Sequence, residues 1–251
     1  MRGFTTLFGK EVLRFWKVSF QTLLAPLVST LLYMLVFAQV LDSHAEIYSG
    51  VSYREFLVPG LAMMAMLQNS FSNTSSSLIQ SKLTGNIVFI LLPPLSPFEI
   101  FAAYVLAAMV RGFAVGACVW IASLIFFPHF PAHPFELLVF ALLGNALAAV
   151  LGLLAGIWSE KFDQLAAFQN FLIVPLTFLA GVFYSIHSLP PLWRDISRFN
   201  PFLYMIDGFR HGFFGVSDIA PLESFVIVAG CAFALSWLSL SLLSRGWRLR
   251  N

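Results

Sequence analysis

The stretch that decides the fold is residues 137–159, which read LLVFALLGNALAAVLGLLAGIWS and carry no charge over 23 positions. A helix needs about 20 mostly apolar residues to cross the hydrocarbon core of a bilayer. The apolar residues form a continuous run, whereas in a barrel strand apolar and polar residues would alternate. A helix also satisfies its backbone polar groups within the segment, as the bilayer requires. The stretch therefore predicts a membrane-spanning helix.

Five further stretches have a similar length and character. Four carry no charge, and the fifth carries Glu99 near its start and Arg111 inside. The composition agrees, because only 10% of the residues are charged against about 25% in soluble domains. We therefore predict an all-α polytopic membrane protein with a single transmembrane domain over residues 1–251. Its six spans are expected at about 20–41, 56–79, 98–127, 136–158, 165–186 and 222–243.

The distribution of basic residues predicts the orientation. With an inner N-terminus, nine Lys and Arg residues flank the inner ends of the spans and four flank the outer ends. Cytoplasmic loops carry the excess of Lys and Arg, so both termini are expected in the cytoplasm. The net charge of +2 is too small and dispersed for a nucleic-acid partner, whereas membrane lipid is an expected one.

The segment before the first span, residues 1–18, predicts an amphipathic helix at the membrane surface. One side carries basic residues: Lys10, Arg14 and Lys17. The other side is apolar: Phe4, Leu7, Phe8, Val12, Phe15 and Trp16. Glu11 falls at the edge of the apolar side, where a carboxylate needs a partner, so it is expected to pair with a basic residue of this chain or of another.

Two segments between spans are unusual in composition. The inner segment 80–97 carries one charge and an apolar run over 87–92, which the membrane surface, the bundle or another protein has to cover. The outer segment 187–221 mixes aromatic and charged residues, which predicts short re-entrant helices separated at Asn200-Pro201. Asp207 and Arg210 can pair there as i, i+3 neighbours. The alternative is a surface helix whose charges mark the water line.

Motifs for catalysis or metal binding are weak. The sequence contains no phosphate-binding loop of the G-x-x-x-x-G-K-S/T type, so no ATPase site is expected. All five histidines fall in or beside predicted outer loops, and prolines around His129 and His133 prevent a helix from aligning those two rings. Residues 129–134 are expected to form a tight outer turn, and no metal or other cofactor is expected on this chain.

Polar residues inside the spans allow two interpretations. Arg111 lies deep in a span and is either functional or structural, with Glu99 or Glu160 as a possible partner. Four amides could line a path or simply join helices by hydrogen bonds: Asn69, Asn73, Gln169 and Asn170. Small residues recur every four positions from Gly144 to Gly156, which indicates close packing within the bundle or a dimer contact.

Several motifs together resemble a known family. They are Lys82-Leu-Thr-Gly-Asn-Ile, Leu91-Leu-Pro-Pro-Leu, Arg111-Gly112, Leu179-Ala-Gly-Val-Phe-Tyr184, Asn200-Pro201-Phe-Leu-Tyr204 and Asp207-Gly-Phe-Arg-His-Gly-Phe-Phe-Gly215. With the predicted six spans they resemble the ABC-2 class of ATP-binding-cassette export permeases, and within it the YadH and nodulation-factor exporter branch.

The resemblance implies a homodimeric or paired permease in a bacterial inner membrane. A separate ATPase subunit would bind ATP and Mg and drive export of an amphipathic substrate such as a lipid, glycolipid, glycan-lipid or drug. A noncatalytic anchoring or assembly subunit of another membrane complex and an autonomous ion or solute channel are the alternatives. The resemblance places ATPase coupling at Lys82, Leu83, Gly85, Asn86, Ile87, Phe89, Glu11 and Arg14. It places an outer gate at Asn200, Pro201, Tyr204, Asp207 and Arg210.

The loop departs from the family pattern in one respect. Related loops commonly carry acidic residues after the glycine, whereas here Gly85 is followed by Asn86-Ile-Val-Phe89. The resemblance therefore implies a more apolar contact with the ATPase.

Overall fold

The computed structural model describes residues 2–40, 46–48, 50–125, 128 and 130–248. The helices are α1 (Arg2–Trp16), α2 (Ser19–Val40), α3 (Tyr53–Leu83), α4 (Ile87–Leu91), α5 (Pro97–Ser123), α6 (Pro134–Trp158), α7 (Phe162–Phe168), α8 (Val174–Phe178), α9 (Pro191–Arg198), α10 (Pro201–Phe214) and α11 (Pro221–Arg245). A π-helical turn, Gln169–Ile173, joins α7 to α8, and a 3₁₀ turn, Ile186–Ser188, precedes α9.

The chain is a polytopic membrane protein. Among the residues that the structure describes, four helices are long and apolar enough to cross a bilayer: residues Ser19–Phe37 of α2, and α5, α6 and α11. α3 has 31 residues and is about 46 Å long, but its many Ser and Asn residues make it less apolar. The predicted span ends at 41 and 127 lie outside the described residues.

The predicted helical architecture is confirmed over the described residues, which add to it one small antiparallel hairpin, in which strands β1 (Glu46–Tyr48) and β2 (Val51–Ser52) pair around Gly50. One sequence-based expectation needs correction. The predicted span 165–186 is not one continuous helix, because helical structure ends at Phe178 and the chain turns at Gly181, whose φ is +73°. A side chain would be strained at that φ, which favours glycine.

Buried α3 lies at the centre of the bundle and packs against α5, α6 and α10. Glycines allow this close approach. A Cβ atom added at Gly144 or Gly152 would overlap atoms of α3, and one added at Gly156 would lie 3.1 Å from the Leu78 Cβ atom, which is closer than ordinary contact. The small-residue stripe of α6 therefore packs within this chain, which is one of the two alternatives for it.

Candidate functional sites at the two ends of the bundle

The short helix α4 presents an apolar face away from the bundle. Gly85 has a φ of +73° and turns the chain after α3, so that α4 begins two residues later. Ile87 and Ile90 are buried against the bundle, in a cluster that also contains Leu7 of α1. Three apolar side chains are exposed: Val88, Phe89 and Leu92, of which Phe89 is 71% exposed. We call these three residues the α4 face.

A groove of about 700 Å³ lies beside the α4 face, between α1 and the segment from the end of α3 to the start of α5. Its walls are partly apolar, with Leu7, Ile90 and Leu95, and partly polar, with Lys10 and Arg14. Phe89 also lines this groove. The end of the bundle near α4 therefore combines an exposed apolar patch with an adjacent cationic groove.

Lys82 is bound to the end of a neighbouring helix. Its Nζ donates hydrogen bonds to the carbonyl oxygens of Gly156 at 3.3 Å, Ile157 at 2.9 Å and Ser159 at 2.6 Å. A cation at a helix C-terminus satisfies orphan carbonyls and opposes the negative end of the dipole. Lys82 thus ties the end of α3 to the end of α6, while Leu83, Gly85 and Asn86 are exposed.

Glu11 finds its partners within this chain. Its fully buried carboxylate lies 2.8 Å from Lys10 Nζ and 3.3 Å from Arg14 Nε. Arg14 Nη2 also donates to Asn73 of α3, at 2.7 Å to the carbonyl oxygen and 2.9 Å to Oδ1. The pair therefore joins α1 to α3.

Arg111 is paired with an amide instead of an acid. Its Nη2 and Nε donate to Asn69 Oδ1 at 2.9 and 3.3 Å. The possible pairing with Glu99 or Glu160 is wrong for the described residues, because Glu99 caps α5 through Ser96 and Glu160 lies 3.7 Å from Arg248. The acids are bound at the helix ends, whereas Arg111 lies in the middle of α5.

A second polar contact, which the sequence pattern does not indicate, lies next to Arg111. The Ser70 hydroxyl donates to Asn145 Oδ1 at 2.6 Å, and both side chains are fully buried. A Cβ atom on Gly112 would overlap both polar groups. The junction of α3, α5 and α6 therefore requires a glycine after Arg111. The contacts at this junction join residues that are far apart in the sequence.

A cavity of about 360 Å³ lies between α2, α3 and the segmented helix formed by α7, the π-helical turn and α8. Asn69 and Gln169 line it together with further polar side chains: Ser29, Thr30, Gln68 and Ser72. Asn73 instead binds Arg14, and Asn170 is exposed. The structure thus brings two of the four predicted amides to one cavity. A π-helical turn at its wall is a feature often found at functional sites.

At the other end, Asn200 and Pro201 begin α10. Asn200 Oδ1 accepts a hydrogen bond from the Phe202 N–H at 3.0 Å, and its Nδ2 donates to the Leu176 carbonyl at 2.6 Å. The Tyr204 hydroxyl donates to the Arg198 carbonyl at 2.8 Å, which binds α10 to the end of α9. The dipeptide lies between two short helices, α9 and α10.

Asp207 and Arg210 form a buried pair. Each side chain is 1% exposed, and Arg210 Nη1 lies 3.8 Å from Asp207 Oδ1. The Asp207 carboxylate accepts the backbone N–H groups of Asp218 and Ile219, both at 2.9 Å. This burial contradicts the alternative of a surface helix with charges at the water line.

Arg210 extends the pair to other parts of the bundle. Its Nη2 donates to the Gly181 carbonyl at 2.7 Å, and its guanidinium carbon lies 3.8 Å from the ring centroid of Phe56 in α3. Cations are attracted to the faces of aromatic rings. One arginine therefore connects α10, the turn after α8 and the start of α3.

Asp218, which follows α10, joins three segments although the sequence pattern does not indicate it. Its side chain accepts hydrogen bonds from the Tyr48 hydroxyl at 2.9 Å, the Ser185 hydroxyl at 2.7 Å and the Ile186 N–H at 2.8 Å. Burial raises the pKa of Tyr48, so its hydroxyl remains a donor. A single acid in a predicted loop does not indicate these partners from sequence alone. They come from two distant segments that the fold brings to Asp218.

Comparisons with known proteins agree on one family. The family profile described as ABC-2 type transporter matches residues 2–214. The chain is 38% identical over 250 residues to the inner membrane transport permease YadH of Escherichia coli (strain K12), covering 98% of this chain and 96% of that protein.

More distant relatives carry more specific names. Nodulation protein J of Rhizobium leguminosarum bv. viciae is 24% identical over 203 residues, covering 80% of this chain and 78% of that protein. The capsule polysaccharide export inner-membrane protein CtrC of Neisseria meningitidis serogroup B is 24% identical over 254 residues, covering 98% and 88%.

Proposed function

We propose, from the premise that this chain belongs to the ABC-2 type transporter family, that it exports an amphipathic molecule through the inner membrane. As a member, it is a permease subunit that lacks the nucleotide-binding ATPase site, and membership implies an ATPase partner. ATP and Mg would therefore act on that partner and not on this chain.

The α4 face is the proposed docking surface for the ATPase, and it is the observation that carries the coupling mechanism. A five-residue helix holds Ile87 and Ile90 on the bundle and leaves Val88, Phe89 and Leu92 exposed. The excess of basic residues favours a cytoplasmic location for this end, where an ATPase subunit would reach it. Large aromatic side chains commonly anchor protein interfaces, so Phe89 is the proposed anchor.

α3 is the proposed lever between the two ends. It is a single helix about 46 Å long, with Lys82 bound to the end of α6 near α4. Near its other end Phe56 lies under Arg210. A push on α4 would therefore tilt α3 and disturb the contacts of Arg210, so that α9 and α10 act as an outer gate.

The cavity between α2, α3 and the segmented helix is the proposed path. Its polar amides and hydroxyls lie beside apolar side chains such as Tyr33, Met64 and Phe178. This mixture suits a molecule with a polar and an apolar part. α2 exposes large apolar side chains, and this surface is available for contact with a second copy of the chain. The second copy would complete the path in a homodimer.

The substrate class is the finer part of the proposal. Two names among the relatives refer to nodulation and to export of capsule polysaccharide, which favours a glycan-bearing molecule such as a glycolipid or glycan-lipid. Lipids and drugs share the amphipathic chemistry that the cavity would accept.

The test is affinity purification of the tagged full chain from native membranes, followed by ATPase measurement with candidate lipids and drugs. Phe89→Asp should lose the ATPase subunit, because a charge cannot be buried in an apolar contact. Phe162→Asp is the matched control, since Phe162 is exposed at the start of α7 and does not belong to the α4 face. Normal assembly and transport by Phe89→Asp would refute the docking surface, and capture of a partner without ATPase activity would favour an assembly subunit.

A further inference from the structure

Two arginines bind successive turns of α3. Arg111 donates to Asn69 Oδ1 and Arg14 donates to Asn73 Oδ1, each with a shortest distance of 2.9 Å. Residues four apart lie on the same face of a helix, so the two guanidiniums approach the same side of α3. We call these four residues the arginine cluster.

The arginine cluster has more positive charge than the neighbouring acid can balance. Arg14 and Arg111 supply two positive charges, half-exposed Lys10 beside the cluster supplies a third, and Glu11 supplies one negative charge that Lys10 and Arg14 share. In the part of the chain that the structure describes, no carboxylate lies within 4.0 Å of Arg111. Arg111 is also about 21 Å along α5 from Pro97, where an uncompensated charge is costly.

A buried hydrogen-bond donor in the same cluster also lacks a partner. The Asn73 side chain is fully buried, its Oδ1 accepts from Arg14, and its Nδ2 has no acceptor among the described residues. Buried polar atoms in native proteins are nearly always satisfied, so an unpaired one calls for a bound group. Excess positive charge and an unused donor together favour an acceptor that carries negative charge.

The cluster lies between two openings. Arg14 and Lys10 line the groove of about 700 Å³ beside α4, and Asn69 lines the cavity of about 360 Å³ beside the segmented helix. An amphiphile in the groove could place its head at Arg14, and one in the cavity could place its head at Asn69, the partner of Arg111. The planar guanidinium is well suited to bidentate bonds with phosphate oxygens.

We propose that Arg14, Arg111 and the Asn73 amide form a binding site for the phosphate headgroup of an amphiphile. That headgroup belongs either to a bilayer phospholipid or to a transported molecule. The site's part in transport rests on the proposed function, whereas binding itself can be measured on the permease chain alone.

The first test uses the purified full chain in dodecyl maltoside, with dodecyl phosphate as the probe and dodecyl glucoside as its neutral counterpart. Dodecyl phosphate should raise the melting temperature in a saturable way, and dodecyl glucoside should not. Arg111→Gln should weaken the apparent affinity at least tenfold, while Arg245→Gln should match the wild type because Arg245 is exposed at the end of α11. An equal response in the Arg111→Gln and wild-type proteins would overturn the proposal.

A second variant covers the case in which Arg111→Gln does not fold. Asn73→Asp replaces the unpaired donor by a carboxylate oxygen and supplies the missing negative charge at the same position. This variant should melt at a higher temperature than the wild type without any added anion, and it should not respond to dodecyl phosphate. A lower melting temperature, or an unchanged response, would contradict the site.

Phosphorus analysis distinguishes the two sources. About one phosphorus retained per wild-type chain after extensive detergent washing, and lost in Asn73→Asp, would identify a bilayer phospholipid. Dodecyl phosphate that binds phosphorus-free wild type and stimulates the assembled ATPase complex would identify the head of a transported molecule. If the wild type neither retains phosphorus nor binds dodecyl phosphate, the site is overturned. If it binds dodecyl phosphate but no ATPase partner is found, the site stands and the proposed export role is removed.

Discussion

Replacement of Arg210 by Met should destabilise the protein strongly, because it leaves the Asp207 carboxylate buried without its cation. The variant also loses the hydrogen bond to the Gly181 carbonyl and the contact with the Phe56 ring. Removal of one partner of a buried pair costs about 3–5 kcal/mol. Asp207 keeps two backbone N–H donors, so we expect a loss near the lower end, about 3 kcal/mol.

The assay is thermal unfolding of the purified chain in neutral detergent. For a chain of this size, 1 kcal/mol corresponds to about 2–4 °C, so Arg210→Met should melt about 6–12 °C below the wild type. Arg198→Gln is the control, because Arg198 is exposed on α9, and it should stay within about 2 °C of the wild type.

A double-mutant cycle separates the charge pair from simple loss of packing. Asp207→Asn removes the uncompensated charge from the Arg210→Met background. The loss of unfolding free energy in the double variant should therefore be smaller than the sum of the losses in the two single variants, by about 1 kcal/mol or more. Additive effects, or an Arg210→Met variant as stable as Arg198→Gln, would refute the reasoning that the pair is buried and coupled.

Three other predictions follow from contacts elsewhere in the bundle. Lys82→Gln should cost about 2 kcal/mol in thermal unfolding, because it loses the charge-assisted bonds to the end of α6, whereas exposed Lys17→Gln should have little effect. Gly152→Leu should abolish folded protein in size-exclusion chromatography because a side chain there overlaps Phe71 and Thr74, while Gly230→Leu in α11, with open space around it, should elute as the wild type does. A reporter active only in the cytoplasm and fused after Asn251, which is outside the described residues, should give signal; activity of a periplasmic reporter at that position would contradict the orientation.

Length and charge predicted the long helices well, because a bilayer imposes the same physical requirement on each of them. Residues 137–159 lie within or directly after α6, and the junction of Asn200 and Pro201 lies where α10 begins. A charge-free stretch, however, does not measure helix continuity. Residues 165–186 met the length criterion, although Gly181 adopts a left-handed conformation and the helix ends before it.

The partners of polar residues were harder to predict than the helices. Glu11 and Arg14 are three residues apart, and their pairing follows from helical spacing. The contacts of Asp218 with Tyr48 and Ser185 depend on how distant segments meet, which hydrophobic pattern does not specify. The hairpin around Gly50 was missed for a similar reason, since strands of three and two residues are too short to show alternation.

The measurement that tests the central claim most directly is ATP-dependent thiol labelling of α10 in the assembled complex. The claim is that ATP on a partner subunit moves α10 through α4 and α3. Both native cysteines, Cys118 and Cys231, are first changed to Ala. A single cysteine is then introduced either at Phe209, which is buried, or at Phe199, which is 90% exposed.

An impermeant reagent should label Phe199→Cys under all conditions and Phe209→Cys only when ATP is present. Adding Phe89→Asp should remove the effect of ATP on Phe209→Cys without changing the labelling of Phe199→Cys. Labelling of Phe209→Cys that is independent of ATP, or an ATP effect that survives Phe89→Asp, would contradict the account.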